Sequence, residues 1–292
     1  MKILQRLVIA LILVTPVLLG IYLILGSKIS DGGVGGGFRK IGLVRIEGVI
    51  NESEEIVRQL RSFSLDNTIA GILIKVDSPG GSVAPSQEIY SEVSRIEKPV
   101  VVTMGNLAAS GGYYVSSPAD RIFASPGTLT GSIGVIFSLP LVEELARKIG
   151  VEMRTMKAGN FKDLTNIYEK MSVGERKIIQ EMLDDTHDQF ISDVAKGRKL
   201  SKDSVILLSD GRIFTGRQAL AVHLVDTLGG YEDALDYLRT RTGLGKKAKV
   251  VERKERMLAV REWFVEEMIH IFPQLYGFFY PHSPRYLYSP GA

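Results

Sequence analysis

The sequence contains no cysteine. That excludes disulfides, a thiolate nucleophile and any cysteine-ligated zinc. Histidine is scarce too, with four in 292 residues: His187 and His223 fall in helix-like segments, His270 and His282 near the C-terminus. A Ser-His-Asp arrangement through His223 is open, although a histidine on an amphipathic helix is more often structural. Asp184, His187 and Asp188 do not share one helical face well, so no metal site is expected. There is no GxxxxGK phosphate loop, and the glycines of DGGVGGG (31–37) follow no strand, so no nucleotide cofactor is expected either. Thirty-six basic against thirty-three acidic residues leave a net charge of +3 without a long basic run, which gives nucleic acid no footprint.

A long uncharged run is present. Residues 7–25, LVIALILVTPVLLGIYLIL, are nineteen residues without a charge, preceded by Lys2 and Arg6. That length crosses a hydrocarbon core of about 30 Å and exceeds the apolar stretch of a cleaved signal peptide. GSKIS is a poor cleavage site, and Pro16 is tolerated in a membrane helix. The run reads as an uncleaved anchor (1–27) with a cytoplasmic N-terminus and everything after Lys28 on the outer side of the cell membrane. Residues 28–40, with their glycines, read as a flexible linker.

From Ile41 the pattern alternates. IGLVRIEGVI (41–50) predicts a strand, and Asn51 with Glu54 a capping box for a helix through about Ser62. IAGILIKVD (69–77) is a nearly continuous apolar run, typical of a strand covered on both faces. A helix over 82–97 and a strand over 99–104 complete a βαβαβ order, hence a largely parallel sheet flanked by helices. Its loops at strand carboxyl ends are where sites form, and DSPGGSV (77–83) and GNLAASGGYYVSSPAD (105–120) lie at two of them. A second region from Val151 to about Gly243 holds a strand-like VEMRTM, the polar KAGNFKDL and a long helix near 172–196. The domain over 41–245 is followed by a helix and aromatic-rich tail over 246–292. There Val260, Phe264, Met268 and Phe272 share a helical face, to be packed on the chain's own core, a second copy or the membrane interface.

Ser110 stands between two alanines and two glycines directly after an apolar strand, a setting for a presented nucleophile and equally for a capping serine in a tight turn. With histidine scarce, the remaining base is lysine. A lysine that starts near 10.4 must be brought down to about 7 by burial to activate a hydroxyl, which is within documented range. Among Lys148, Lys157, Lys162 and Lys170 the sequence does not choose, though Lys157 and Lys162 flank AGNF in a polar segment and are better placed than the two in charged helical contexts. Backbone N–H groups of the glycines can hold the oxyanion of an acyl-transfer intermediate.

DSPGG (77–81), GNLAASGGYY (105–114), TGSIGV (130–135), KAGNFKD (157–163) and GRIFTGRQALAVHLVD (211–226), in this order behind one apolar run, resemble the short form of the signal peptide peptidase A, or protease IV, family. The resemblance spans residues 41–240 and leaves the tail uncovered. It implies an α/β fold of stacked ββα units, Clp-protease- or crotonase-like, behind one transmembrane helix, and a Ser-Lys dyad without metal or cofactor. Carried over by motif, Ser110 is the nucleophile, Lys162 the general base, Ser132 the residue that orients the lysine, and the N–H groups of Gly80 and Gly111 the oxyanion hole. It further implies a ring, commonly of eight, with sites shared between subunits, and remnant signal peptides and other short apolar peptides as substrates. Two readings of another class stay beside it: a crotonase-like acyl-CoA enzyme, and an inactive membrane scaffold that binds peptides.

Overall fold

A computed structural model describes residues 39–253. The 7–25 run and the tail beyond Arg253 lie outside them. Among the described residues no helix is long and apolar enough to cross a membrane.

Among the described residues eight strands form one mixed sheet. β1 (Lys40–Glu47), β2 (Ile69–Ser78), β3 (Val100–Ala109) and β4 (Arg121–Ala124) run parallel as neighbours in that order. β5 (Leu129–Gly131) pairs with the end of β3, and β6 (Ile213–Thr215) closes antiparallel on β5. β7 (Thr227–Leu228) lies beside β4, and β8 (Val250–Glu252) beside β1. The apolar runs alternate between two covered faces. Val44, Ile46, Ile72, Ile74, Val76, Val100 and Val102 point into the larger core, while Ile41, Leu43, Leu73, Val101 and Phe123 point to the other.

The larger core is roofed by α1 (Glu54–Leu65), α2 (Val83–Arg95), α3 (Gly111–Ser116) and α5 (Val173–Arg198). α4 (Glu143–Lys148), α6 (Lys202–Ile206) and α7 (Gly216–Ala221) are short connections. The opposite face is covered by α8 (Tyr231–Arg241) through Ala234, Leu235 and Leu238.

Two sequence expectations differ locally. The residue before α1 is Ser53, not Asn51, and no side chain caps the helix; the Ser53 hydroxyl is drawn instead to the carboxylate of Glu88. Helix start signals spread over Asn51, Ser53 and Glu54 are thus resolved by a tertiary partner. VEMRTM (151–156) forms no strand: it is exposed throughout, and no strand among the described residues lies beside it to supply a ladder.

One irregularity positions the site. The β2–β3 register slips between Val76 and Ser78, and beyond it β3 exchanges β4 for β5 as its partner. Asp77 holds the slip, its carboxylate accepting the Leu107 N–H at 3.0 Å. The last three residues of β3, Leu107–Ala109, therefore lie between β2 and β5 and deliver Ser110 to the carboxyl-end edge.

Candidate active site

Ser110 sits where β3 turns into α3, with φ 53° and ψ −122°. A non-glycine residue with positive φ costs of order 1–3 kcal/mol and persists where its surroundings over-determine it. Here they do. The Ser110 N–H donates to Gly131 O at 2.8 Å and its carbonyl accepts the Tyr114 N–H at 2.9 Å. Ser132, one residue beyond that carbonyl, also has positive φ, at 52°, and its N–H donates to Arg212 O at 2.9 Å. Both serines line one cavity of about 420 Å³.

The glycine loop after β2 approaches from the other side. A Cβ on Gly80 (φ 98°) would lie 2.6 Å from the Gly111 nitrogen and 2.9 Å from Ser110 Cβ, so only glycine fits. A Cβ on Gly111 would lie 2.7 Å from Ser86 Oγ and 3.2 Å from the Gly81 nitrogen. Gly80, Gly81, Ser110 and Gly111 are thus in mutual contact. The Gly80 N–H, however, donates to Ser78 Oγ at 3.1 Å. Gly81 and Gly111 line the cavity, and neither N–H is taken by a protein acceptor among the described residues. Sequence reasoning passed over Gly81; the signal available was that SPGG offers two adjacent amides.

The far wall is supplied by α2 and α5, through Gln87, His187 and Phe190, and by Tyr114. Tyr114 packs on Phe190 with ring centroids 4.6 Å apart and donates its hydroxyl to the Asp193 carboxylate. Burial first, and then that bond, push its phenol well above the usual tyrosine range. At the rim the Asp210 carboxylate accepts from Arg212 Nε at 2.8 Å and is held down at about 2 by the guanidinium.

Lys162 is not among the residues lining this cavity. It is exposed in a turn closed by its own N–H to Gly159 O at 3.2 Å. Lys157 is tied to Asp163 at 2.5 Å, and that hydrogen bond raises its pKa, the wrong direction for a base. Lys148 and Lys170 are exposed as well. The segment bearing Lys162 carries uncovered apolar groups: Met153 is 52% exposed, Met156 99% and Phe161 47%. His223 is exposed outside the cavity, and no group of carboxylates and histidines able to hold a metal ion occurs among the described residues.

A strained serine at a strand end, facing two unspent amides, is the arrangement that acyl transfer requires. Residues 92–245 match the family model of Peptidase family S49, and residues 42–129 that of Clp protease. The chain belongs to peptidase family S49. A Synechocystis protein provisionally named as a protease is 39% identical over 210 residues, 70% of this chain and 76% of its own. An Enterococcus faecium protein provisionally named signal peptide peptidase SppA is 38% identical over 254 residues, 81% of this chain and 73% of its own. Protease 4 of Haemophilus influenzae is 34% identical over 252 residues, 81% of this chain but 39% of the longer relative. This S49 chain is therefore a serine protease of the SppA or protease IV type, on a Clp-protease-like α/β fold.

Proposed function

We propose that this chain is a membrane-anchored peptidase in which Ser110 of one copy is activated by Lys162 of a neighbouring copy, and that it clears remnant signal peptides and other short apolar peptides. The observation that carries the reading is the separation of parts: among the described residues no lysine lines the Ser110 cavity, while Lys162 stands without an ion pair on an exposed, apolar-rich segment. Docking that segment on a second chain would bury its apolar side chains and desolvate the lysine, and desolvation is what lowers an ammonium pKa. Neutral Lys162 takes the Ser110 proton as Oγ bonds to the peptide carbonyl carbon. The oxyanion is held by the N–H groups of Gly81 and Gly111, Gly80 providing the close approach; Ser132 orients the lysine. The C–N bond breaks as the amine leaves with the proton, and a water, deprotonated by the same lysine, releases the acyl group. Head-to-tail contacts of this kind close into a ring where the rotation between successive copies returns to the first. Residues 7–25 would keep the site on the outer side of the membrane, near peptides left there.

Mixing tests it. Ser110→Ala and Lys162→Ala are each expected to be inactive. Co-assembled in equal amounts they should regain about one quarter of wild-type activity, because one adjacent pairing in four joins an intact serine to an intact lysine. No recovery after verified co-assembly refutes a shared site.

One observation favours a second base. His187 lines the same cavity as Ser110, and its Nε2 is buried without a partner among the described residues. A histidine base gives an activity that rises through about pH 6–7, a lysine base one that rises higher, and His187→Gln would abolish activity only in the first case.

A further inference from the structure

Because β1 to β4 run in parallel, their amino ends share one edge, opposite the edge that carries Ser110. The chain enters the sheet there through Arg39 and Lys40, the Lys40 N–H donating to Thr68 O at 2.8 Å. On the other side of β1, a turn closed by Ala248 N–H to Gly245 O at 2.9 Å presents Lys246 and Lys247, and the Lys249 carbonyl accepts the Ile41 N–H at 3.0 Å. Arg39, Lys246, Lys247 and Lys249 are exposed and Lys40 half-buried. None of the five has a carboxylate within ion-pair distance among the described residues.

At this edge Asp66 is held by Arg253, the Asp120 carboxylate accepts the Val100 N–H at 2.8 Å but keeps its charge, and Glu97 is exposed, so the five cations outnumber the carboxylates left without an ion pair among the described residues. Lys98 spends its ammonium on the carbonyls of Phe63 and Asp66 at 2.8 and 2.7 Å. Burial chiefly, and then Arg39 and Arg253 against the pull of Asp66, hold that ammonium below the usual lysine range. Five unneutralised cations on one edge repel each other and gain by meeting anions.

The anion source is indicated by where the rest of the chain attaches. Residues 1–38 join at Arg39, and only thirteen residues, 26–38, separate it from the uncharged run. Thirteen residues reach at most about 45 Å. We propose that this edge, through Arg39, Lys40, Lys246, Lys247 and Lys249, docks on anionic phospholipid headgroups of the membrane that holds the chain. The proposal rests on reading 7–25 as an anchor. Lysines held this close to a bilayer are drawn to anionic lipid, an attraction that salt screens. β3, ten residues long, would then hold Ser110 about 30 Å above the headgroups, facing away from them.

The test is amine footprinting of the full chain in nanodiscs of phosphatidylcholine alone or with about one-third phosphatidylglycerol. A water-soluble acetylating ester is used and each lysine is read by mass spectrometry. Acetylation of Lys246, Lys247 and Lys249 should slow about threefold or more in the anionic discs and recover at about 0.5 M salt, with Lys177 unchanged in both. The double variant Lys246→Glu, Lys247→Glu should lose the protection of Lys40 and Lys249. Equal labelling in the two lipids, or protection that survives in that variant, overturns the proposal. If the chain fails to enter discs, the anchor reading falls; the same comparison with anionic vesicles added in free solution then decides the edge by itself.

Discussion

Replacing Gly80 by alanine perturbs the nucleophile without touching it. At φ 98° the new side chain carries backbone strain, and its Cβ would stand 2.6 Å from the Gly111 nitrogen and 2.9 Å from Ser110 Cβ. The first of these neighbours is backbone, so the clash is relieved only by moving the loop or the turn that holds Ser110. Strain of about 1–2 kcal/mol and overpacking of about 1–3 kcal/mol together predict a stability loss of about 2–5 kcal/mol. Displacing the amides that face the oxyanion should lower kcat about 10²–10³-fold. Gly48→Ala is the control: its φ is 73°, but a Cβ there meets nothing within 4 Å. It should cost about 1–2 kcal/mol, from strain alone, and keep wild-type activity. Denaturant midpoints and hydrolysis of a short apolar peptide read both variants. If Gly80→Ala matches Gly48→Ala in stability and cleaves at the wild-type rate, the close packing of the glycine loop on Ser110 is not what shapes the site.

Leu60 is fully buried in α1, and Leu60→Ala should cost about 2–5 kcal/mol in a denaturant titration while leaving active-site labelling by a fluorophosphonate intact once folded. Asp210 lies on the loop whose Arg212 carbonyl takes the Ser132 N–H. Its folded pKa is lowered from 3.8 to about 2, so its contribution to stability is present above pH 3.8 and lost as pH falls toward 2. Asp210→Asn should therefore melt slightly below wild type at pH 7 and coincide with it near pH 2, a small gap because the pair is exposed.

Much of the sheet was legible because its strands are covered on both faces. IAGILIKVD cannot be read otherwise when Ile72, Ile74 and Val76 serve one core and Leu73 the other. Ser110 was legible from its small neighbours, and the approach of the SPGG loop from its two glycines. Which of the two amides is free was not, since that turns on the Ser78 hydroxyl bonding back to Gly80, a contact made by the fold of the turn. The short strands β5, β6 and β7, two or three residues each, lack a periodicity to detect and exist through their partners. VEMRTM shows the converse: a strand-like composition without a neighbour stays irregular. Lys162 was singled out by resemblance alone, and the fold leaves it exposed and outside the cavity that Ser110 lines.

The first and last described strands lie side by side and point the same way, Ile41 opposite Val250. The chain therefore enters this strand pair at the amino end of β1, whereas β8 runs toward the carboxyl-end edge and ends at Glu252 opposite Leu43, part-way along β1. A pull on the leading flank is taken by the amino end of β1, and one on the trailing flank by the three residues of β8, whose strand partner among the described residues is β1.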